Sequence, residues 1–240
     1  MNNFNINPDT ERKTISDATG LNRFLGKTYG WMAFAILLSG LVSYLCGTVY
    51  ASTTFSILYG NRWMSWILIF VWFGVAMATQ RQALKSPTVG IVMLSIFAAL
   101  TGLTFSSIFA VYTKATITAA FVASASDFIA MSFMGLTTKK DLTNIGRQAF
   151  AALFGIIVAG FINIFLRMSI ATLIISIVSV VVFSILTAFD TQKNKELYLR
   201  YGNDFSSTGL AINGALILYL DFINLFIDLL SIFGFSSDNR

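Results

Sequence analysis

The feature that most constrains this chain is a series of seven long apolar stretches. Each has roughly 20 residues, the length of helix needed to cross a hydrocarbon core of about 30 Å. Of the 240 residues, 56% are apolar and only 11% are charged, unlike the composition of a soluble domain. The sequence therefore predicts a polytopic membrane protein with spans at residues 28–49, 63–80, 88–110, 115–136, 147–166, 169–190 and 210–235.

The spans are predicted to be helices because backbone groups in lipid must form their hydrogen bonds within the segment. No stretch shows the alternating pattern of a barrel strand, and the connections are too short to hold a second domain. We therefore predict an all-α fold with a tail at 1–27, a seven-helix transmembrane domain at 28–235 and a short tail at 236–240.

The basic residues divide unequally between the two sides of the membrane. On one side are Arg12, Lys13, Arg23, Lys27, Arg81, Lys85, Lys139, Lys140, Arg147, Lys193, Lys195 and Arg200, and on the other are Arg62, Lys114, Arg167 and Arg240. Because cytoplasmic loops carry an excess of Lys and Arg, the N-terminus is predicted to be cytoplasmic and the C-terminus outside. The chain has no Asn-x-Ser/Thr acceptor, which agrees with a bacterial source. The predicted location is the bacterial inner membrane.

Several classes of function lack the residues that they need. The chain has no histidine, which removes Ser-His-Asp and Cys-His catalysis and zinc sites built from imidazole. It has no phosphate-binding loop or dinucleotide fingerprint, and Cys46, its single cysteine, lies inside the first span. The net charge of +5 follows the membrane topology, so it does not indicate a nucleic-acid partner. We therefore predict neither an enzyme nor a bound cofactor.

Four acidic residues fall inside the predicted spans, namely Asp127, Asp190, Asp221 and Asp228. No Lys or Arg lies in the middle of any span to neutralise them. An ionised Asp at the bilayer centre costs about 3 kcal/mol or more, so such residues normally face the bundle interior and mark an ion or proton path. The alternative is that they are protonated and hydrogen-bond neighbouring helices. For Asp127, which small residues flank in ASASDFIA, the packing and path interpretations are equally supported.

Helical spacing places the polar residues of the last two spans on single faces. Asp221, Asn224 and Asp228 stand at i, i+3 and i+7 in the seventh span. One face of the sixth span carries a similar set, Ser176, Ser179, Thr187 and Asp190. The two helices are antiparallel neighbours joined by one cytoplasmic loop, so their polar faces are predicted to meet, with Asp190 beside Asp221.

A pair formed by Asp190 and Asp221 would have distinctive chemistry. Two carboxyl groups in contact in a low-dielectric site cannot both ionise cheaply, so they titrate as a coupled unit and can sense protons without histidine. Calcium prefers carboxylate oxygens, so both residues are also candidate cation ligands. Depth is a difficulty, because Asp190 ends its span whereas Asp221 lies eleven residues inside, roughly 16 Å at 1.5 Å per residue. The pairing therefore predicts a seventh helix displaced towards the cytoplasm.

Four segments stand in an order that is typical of one family. They are GLTTKKDL at 135–142, FINIFL at 161–166, LTAFDTQK at 186–193 and LYLDFINLF at 218–226. Together they resemble the Bax inhibitor 1 family of seven-span membrane proteins, in particular its bacterial branch. The first is similar to the family's cytoplasmic turn, the second to its fifth-span signature, and the last two to the segments that carry its aspartates.

The resemblance implies six helices wrapped around a central seventh, and a pH-sensitive calcium leak channel in bacterial members. It implies that Asp190 and Asp221 share a proton and act as sensor and gate. It also implies a second-span arginine that latches onto the pair, for which Arg81 is the nearest candidate, although Arg81 sits at the end of its span. Further candidates for the ion path, which are not hallmarks of the family, are Asn224, Asp228 and Asp127.

The leading prediction is a proton-regulated cation leak with calcium as the transported ion. The alternative is a regulatory membrane protein that binds a membrane-bound protease or a stress-survival partner, since the resemblance implies links to both. In that case the turn at 137–142 would be the docking surface. An intramembrane aspartyl protease is disfavoured, because such enzymes need Gly-x-Gly-Asp where this chain has Leu-Tyr-Leu-Asp.

Overall fold

The structure, a computed structural model, describes residues 8–60, 62–202 and 205–238. In these ranges the chain forms nine α-helices, one π-helical turn at Leu45–Val49 and one 3-10 turn at Phe105–Ser107. The helices are α1 (Pro8–Tyr44), α2 (Ala51–Tyr59), α3 (Arg62–Lys85), α4 (Pro87–Thr104), α5 (Ile108–Val111), α6 (Lys114–Thr137), α7 (Thr143–Leu166), α8 (Ser169–Tyr201) and α9 (Ser207–Asp238).

Seven segments in the described ranges are long and apolar enough to span a membrane, which confirms the predicted all-α, seven-span fold. They are Thr19–Val49, Trp66–Lys85, Pro87–Val111, Lys114–Thr137, Thr143–Leu166, Ser169–Tyr201 and Ser207–Ser236. One helix was not predicted, since α2 occupies the connection between the first two spans. Thr54 and Leu58, four residues apart, bury one face of α2, and this contact with the bundle stabilises a helix too short to be stable alone.

Helix α9 lies at the centre of the bundle. It packs against α1, α3, α4, α6 and α8, while α7 packs on α8. Leu216, Leu218 and Tyr219 are at most 1% exposed although they point in different directions around the helix. A helix that is buried around its whole circumference belongs in a bundle core. The predicted arrangement around a central C-terminal helix is confirmed.

Helices α8 and α9 form an antiparallel hairpin that is longer than predicted. Helix α8 continues for eleven residues beyond Asp190, because Thr191 and Asn194 extend its buried face. Asn194 Nδ2 donates to the carbonyl of Gly214 on α9 at 3.5 Å. A Cβ at Gly214 would lie 2.7 Å from Asn194 Oδ1, so a larger residue there would displace the Asn194 amide. The predicted end of the sixth helix at residue 190 is wrong, and the helix's extension brings Asp190 level with Asp221 along the hairpin.

The segment predicted as an N-terminal tail belongs partly to the folded bundle. Helix α1 starts at Pro8, and the side chain of Phe24 is completely buried. Its ring stacks on Tyr198 of α8 with a centroid distance of 4.7 Å, and it packs against Leu210 of α9. Lys27 Nζ also donates to a hydroxyl of α9, that of Thr208, at 3.3 Å. The predicted boundary at residue 27 therefore falls inside a continuous helix that contacts the α8–α9 hairpin. Residues 1–7 and 239–240 of the predicted tails lie outside the described ranges.

Candidate functional site

A cavity of about 750 Å³ lies between α3, α7, α8 and α9. Aromatic and aliphatic side chains of α3 and α7 form most of its walls, including Trp72 and Phe150. The charged and amide groups come mainly from the central hairpin, and they are Asp190, Lys193, Asp221, Asn224 and Asp228. Apolar walls with a few convergent polar groups are typical of binding sites. This cavity, called the acidic cavity below, is the candidate functional site.

Asp190 and Asp221 lie on adjoining helices and line the acidic cavity together. Each is only 5% exposed, and the Asp190 carboxyl acts electrostatically on the Asp221 carboxyl. Asp221 Oδ2 is buried without a hydrogen-bond partner in the part of the chain that the structure describes. An unpaired buried carboxyl oxygen is costly, so this geometry favours a bound proton or cation at Asp221. Their roles as sensor and gate remain predictions.

Lys193 is a neighbour of the pair that the sequence analysis missed. It lies three residues after Asp190, lines the same cavity, and its ammonium group acts electrostatically on the Asp190 carboxyl. The ammonium also lies 5.5 Å from the centroid of the Phe189 ring. Lys193 was assigned to a loop because the sixth helix was expected to end at Asp190. If the sixth helix is extended beyond Asp190, the i, i+3 spacing of Asp190 and Lys193 places both side chains on one face and would have predicted this contact.

The polar faces of α8 and α9 meet along the hairpin, as predicted. Asn224 and Asp228 line the cavity one and two turns beyond Asp221. The hydroxyls of Ser179 and Ser176 lie beside the Asp228 carboxyl. The acidic cavity therefore contains three carboxyl groups spaced along about 10 Å of α9, at 1.5 Å per residue, and the adjoining face of α8.

The sequence matches, over residues 21–238, the family model described as inhibitor of apoptosis-promoting Bax1. The chain belongs to the Bax inhibitor 1 family. It is 40% identical over 228 residues to an uncharacterized membrane protein of Streptococcus pyogenes serotype M3, covering 92% of this chain and 96% of that protein. It is 38% identical over 223 residues to the inner membrane protein YbhL of Escherichia coli K12, covering 92% and 94%. The protein YrjE of Lactococcus lactis is 36% identical over 221 residues, covering 92% and 94%. The predicted family is confirmed, and the chain is an integral membrane protein.

The arginine latch expected of a Bax inhibitor 1 family member is not brought to the pair. Arg81 is exposed and is not among the residues that line the acidic cavity. It follows Met77 by four residues, so it lies one turn beyond the α3 wall of the cavity. Gln80 occupies the end of that wall instead, and its backbone carbonyl accepts a hydrogen bond from Asn213 Nδ2 of α9 at 3.2 Å. This contact ties α3 directly to the central helix.

Asp127 lies on α6 and is not among the residues that line the acidic cavity. Its Oδ2 accepts a hydrogen bond from Ser184 Oγ of α8 at 2.8 Å. The contact joins two packed helices, so it fits the packing interpretation of Asp127. A place for Asp127 in the ion path remains a prediction.

The turn predicted as a docking surface, at residues 137–142, is held against α8 close to the acidic cavity. Gln192 Oε1 accepts from the Leu142 N–H, and Gln192 Nε2 donates to the Lys140 carbonyl, both at 2.9 Å. Asp141 Oδ1 accepts from the Thr143 N–H at 2.8 Å. The side chain of Thr143, and then its backbone N–H, hold the pKa of the exposed Asp141 carboxyl below its usual range. Gln192 thus connects the turn to α8 two residues beyond Asp190.

Proposed function

We infer that this Bax inhibitor 1 family protein is a proton-regulated cation leak with calcium as the transported ion. The observation that carries this proposal is the pair Asp190 and Asp221, buried on adjoining helices in one cavity, with one oxygen of Asp221 unpaired. Such a pair has a stable form with one shared proton, because two negative charges at this depth repel and lose hydration. The proton, or a cation in its place, then determines whether α8 and α9 stay together.

In the proposed mechanism the shared proton joins α8 to α9 in the closed state. Loss of the proton leaves two carboxylates in contact, and their repulsion favours separation of the helices or entry of a cation between them. Calcium takes six to eight oxygen ligands. In the part of the chain that the structure describes, no group of three His, Cys, Asp or Glu residues is placed to hold a metal ion. Two carboxylates and water therefore suit a passing calcium ion better than a resident one.

Polar groups beyond the pair support a path along the hairpin. Asn224 and Asp228 extend the acidic cavity away from the pair, and Ser176 lies beside Asp228. Ser176 also lines a second cavity, of about 450 Å³, between α7 and α8. Asn163 and Thr172 line this second cavity and are hydrogen-bonded to each other at 2.8 Å. Carboxyl, amide and hydroxyl groups of α7, α8 and α9 thus follow one another from the buried pair towards the N-terminal end of α8.

The charge distribution supports an orientation for this path. Of the described Lys and Arg residues, twelve lie at the end of the bundle that holds the start of α1 and the end of α8, against three at the other end. The positive-inside bias then places the pair towards the cytoplasm and the second cavity towards the outside. The related YbhL of Escherichia coli is named an inner membrane protein, which supports the same membrane here.

The test is calcium entry into sealed liposomes that contain the purified protein and a trapped calcium indicator. Wild type should admit calcium faster than protein-free liposomes, at a rate that changes between pH 6 and pH 8. Asp221→Asn should lose most of that pH dependence, because it removes one acid of the pair while keeping its size. Asp141→Asn, which removes an exposed acid outside the cavity, serves as the control and should behave as wild type. Calcium entry no faster than in protein-free liposomes at any pH would exclude the leak.

A second function, regulation of a membrane-bound protease or stress-survival partner, is favoured by the turn at 137–142. Gln192 fixes the shape of this turn while Lys139, Lys140 and Asp141 are exposed. A fixed, charged and exposed turn suits docking of a protein partner. Crosslinking from the turn should recover a stoichiometric membrane protein, and scrambling residues 137–142 should abolish that recovery. A protein that crosslinks equally well after scrambling would exclude docking at the turn.

A further inference from the structure

The acidic cavity opens sideways, towards the lipid. Phe73 and Met77 of α3 line it although they are 57% and 59% exposed, and Phe150 and Ile157 of α7 line it with 47% and 59% exposed. Exposed apolar side chains on a membrane span face the hydrocarbon chains of the bilayer. The two walls are also held by different neighbours, since α3 packs on α4 and α9 while α7 packs on α8. The gap between α3 and α7 is therefore a route from the bilayer into the cavity.

The wall of the cavity that α8 and α9 form has the opposite character. The carboxyls of Asp190, Asp221 and Asp228 line it, against a single basic side chain, that of Lys193, among the described lining residues. Lys193 lies next to Asp190, and Ser179 lies beside Asp228. The buried Oδ2 of Asp221 has no such partner in the described structure. A positively charged hydrogen-bond donor is the group that this wall lacks.

The cavity is large enough for more than an ion. Its volume of about 750 Å³ falls within the roughly 300–1,000 Å³ typical of small-molecule sites. A hydrated metal ion would bind at the acidic wall but leave the walls formed by Trp72, Phe73 and Phe150 without a partner. A ligand that suits both the acidic wall and the apolar walls has a cationic head and a hydrocarbon body.

We propose that the acidic cavity binds a single-chain amphiphile with a primary ammonium head, which enters from the bilayer between α3 and α7. The ammonium group donates to the carboxyl group of Asp221 where that residue lines the cavity, and the hydrocarbon chain lies between the apolar walls. An anionic head would meet three carboxyl groups, and a neutral head would leave the Asp221 oxygen without a charge-assisted partner. This inference concerns binding alone and does not depend on calcium transport.

Trp72 provides a reporter inside the cavity. It lines the cavity, and its indole Nε1 donates to Thr101 Oγ1 at 3.0 Å, which fixes the ring. Trp66, on the same helix, is 54% exposed and reports amphiphile that is merely dissolved in the surrounding lipid. Two full-length proteins are needed, one that keeps only Trp72 and one that keeps only Trp66, with the other tryptophans replaced by Phe.

The experiment measures quenching of each tryptophan by dodecylamine carrying bromine on its chain, in phosphatidylcholine vesicles. Brominated dodecanol and brominated dodecyl sulfate are the matched neutral and anionic probes. We expect the amine to quench Trp72 at about tenfold lower concentration than Trp66, which corresponds to about 1.4 kcal/mol of specific binding. The alcohol and the sulfate should quench both tryptophans at similar concentrations.

Asp221→Asn in the Trp72 protein should remove the preference for the amine. In the protein that keeps Asp221, unbrominated dodecylamine should compete with the brominated amine and relieve the quenching of Trp72, whereas dodecanol should not. This competition tests the proposal even if the Asp221→Asn variant does not fold. Quenching of Trp72 by the alcohol as strongly as by the amine would overturn the proposal. Persistence of the preference in a folded Asp221→Asn protein would overturn it as well.

Discussion

Replacing Lys193 with Gln is expected to move the pH dependence of calcium entry to higher pH. The Lys193 ammonium acts on the Asp190 carboxyl and lines the same cavity, so its positive charge favours the ionised pair. Without that charge, the pair loses its proton only at higher pH. The direction of this shift is the same whether loss of the proton opens or closes the path.

The size of the shift follows from the exposure of the lysine. Because Lys193 is exposed, its charge is screened by solvent, and an ion pair of this kind contributes about 0.2–1 kcal/mol. At 1.36 kcal/mol per pH unit, the midpoint should rise by about 0.1–0.7 pH units. A larger shift would mean that Lys193 is much less hydrated than its exposure indicates.

The assay is the initial rate of calcium entry into liposomes at closely spaced pH values from about 5.5 to about 8.5. Lys193→Arg keeps the charge and should keep the wild-type midpoint. Lys139→Gln removes the same charge from the exposed turn and should also leave it unchanged. An unchanged midpoint in Lys193→Gln, a lower one, or an equal shift in Lys139→Gln would refute the reasoning.

Three further predictions concern the α6–α7 turn and its support on α8. Gly135→Ala should destabilise the protein by about 1–3 kcal/mol, measured by thermal unfolding in detergent, because its new Cβ would collide with the backbone of Ala188. Gln192→Ala removes two hydrogen bonds of about 0.5–1.5 kcal/mol each, so trypsin should cleave the turn faster. The contact with Thr143 lowers the pKa of the Asp141 carboxyl in the folded protein. It therefore stabilises the fold above the pKa that Asp141 has in the unfolded chain, and this stabilisation is lost as the pH falls through the lower pKa of the folded protein. The Thr143 amide resonance should therefore titrate with a midpoint below the usual Asp value, and Asp141→Asn should abolish that titration.

Each of these predictions has a matched control. Gly155→Ala, on α7, places its Cβ in open space and should be neutral or slightly stabilising, so an equal loss in both variants would contradict the packing argument. Gln148→Ala removes an exposed glutamine and should leave the rate of cleavage by trypsin unchanged. For Asp141, a Thr143 amide that titrates at the ordinary Asp value or above would show that the hydrogen bonds do not favour the carboxylate.

The number of spans was predictable because hydropathy depends on local composition, whereas helix ends depend on tertiary contacts. Residues 191–201 are polar enough to read as a loop, yet Thr191 and Asn194 are buried against the bundle and keep them helical. Phe24 likewise looks like part of a charged tail, although Tyr198 and Leu210 bury it completely.

The acidic residues of the candidate site could be predicted from the sequence, but the residues around them could not. Helical spacing placed Asp221, Asn224 and Asp228 on one face, and the structure puts all three in one cavity. Lys193 was missed because its place depends on where α8 ends. The cavity's opening towards lipid depends on which helices pack together, and the sequence pattern of a single span does not indicate its packing partners.

The central claim is that Asp190 and Asp221 act as one titrating unit that controls the passage of cations. The most direct measurement is calcium entry at pH 6 and pH 8 for wild type, each single Asp→Asn variant and the double variant, in one set of liposomes. We expect each single variant to lose most of the difference between the two pH values, and the double variant to lose no more than either one. Single variants that keep the wild-type pH dependence, or two losses that simply add, would contradict the account.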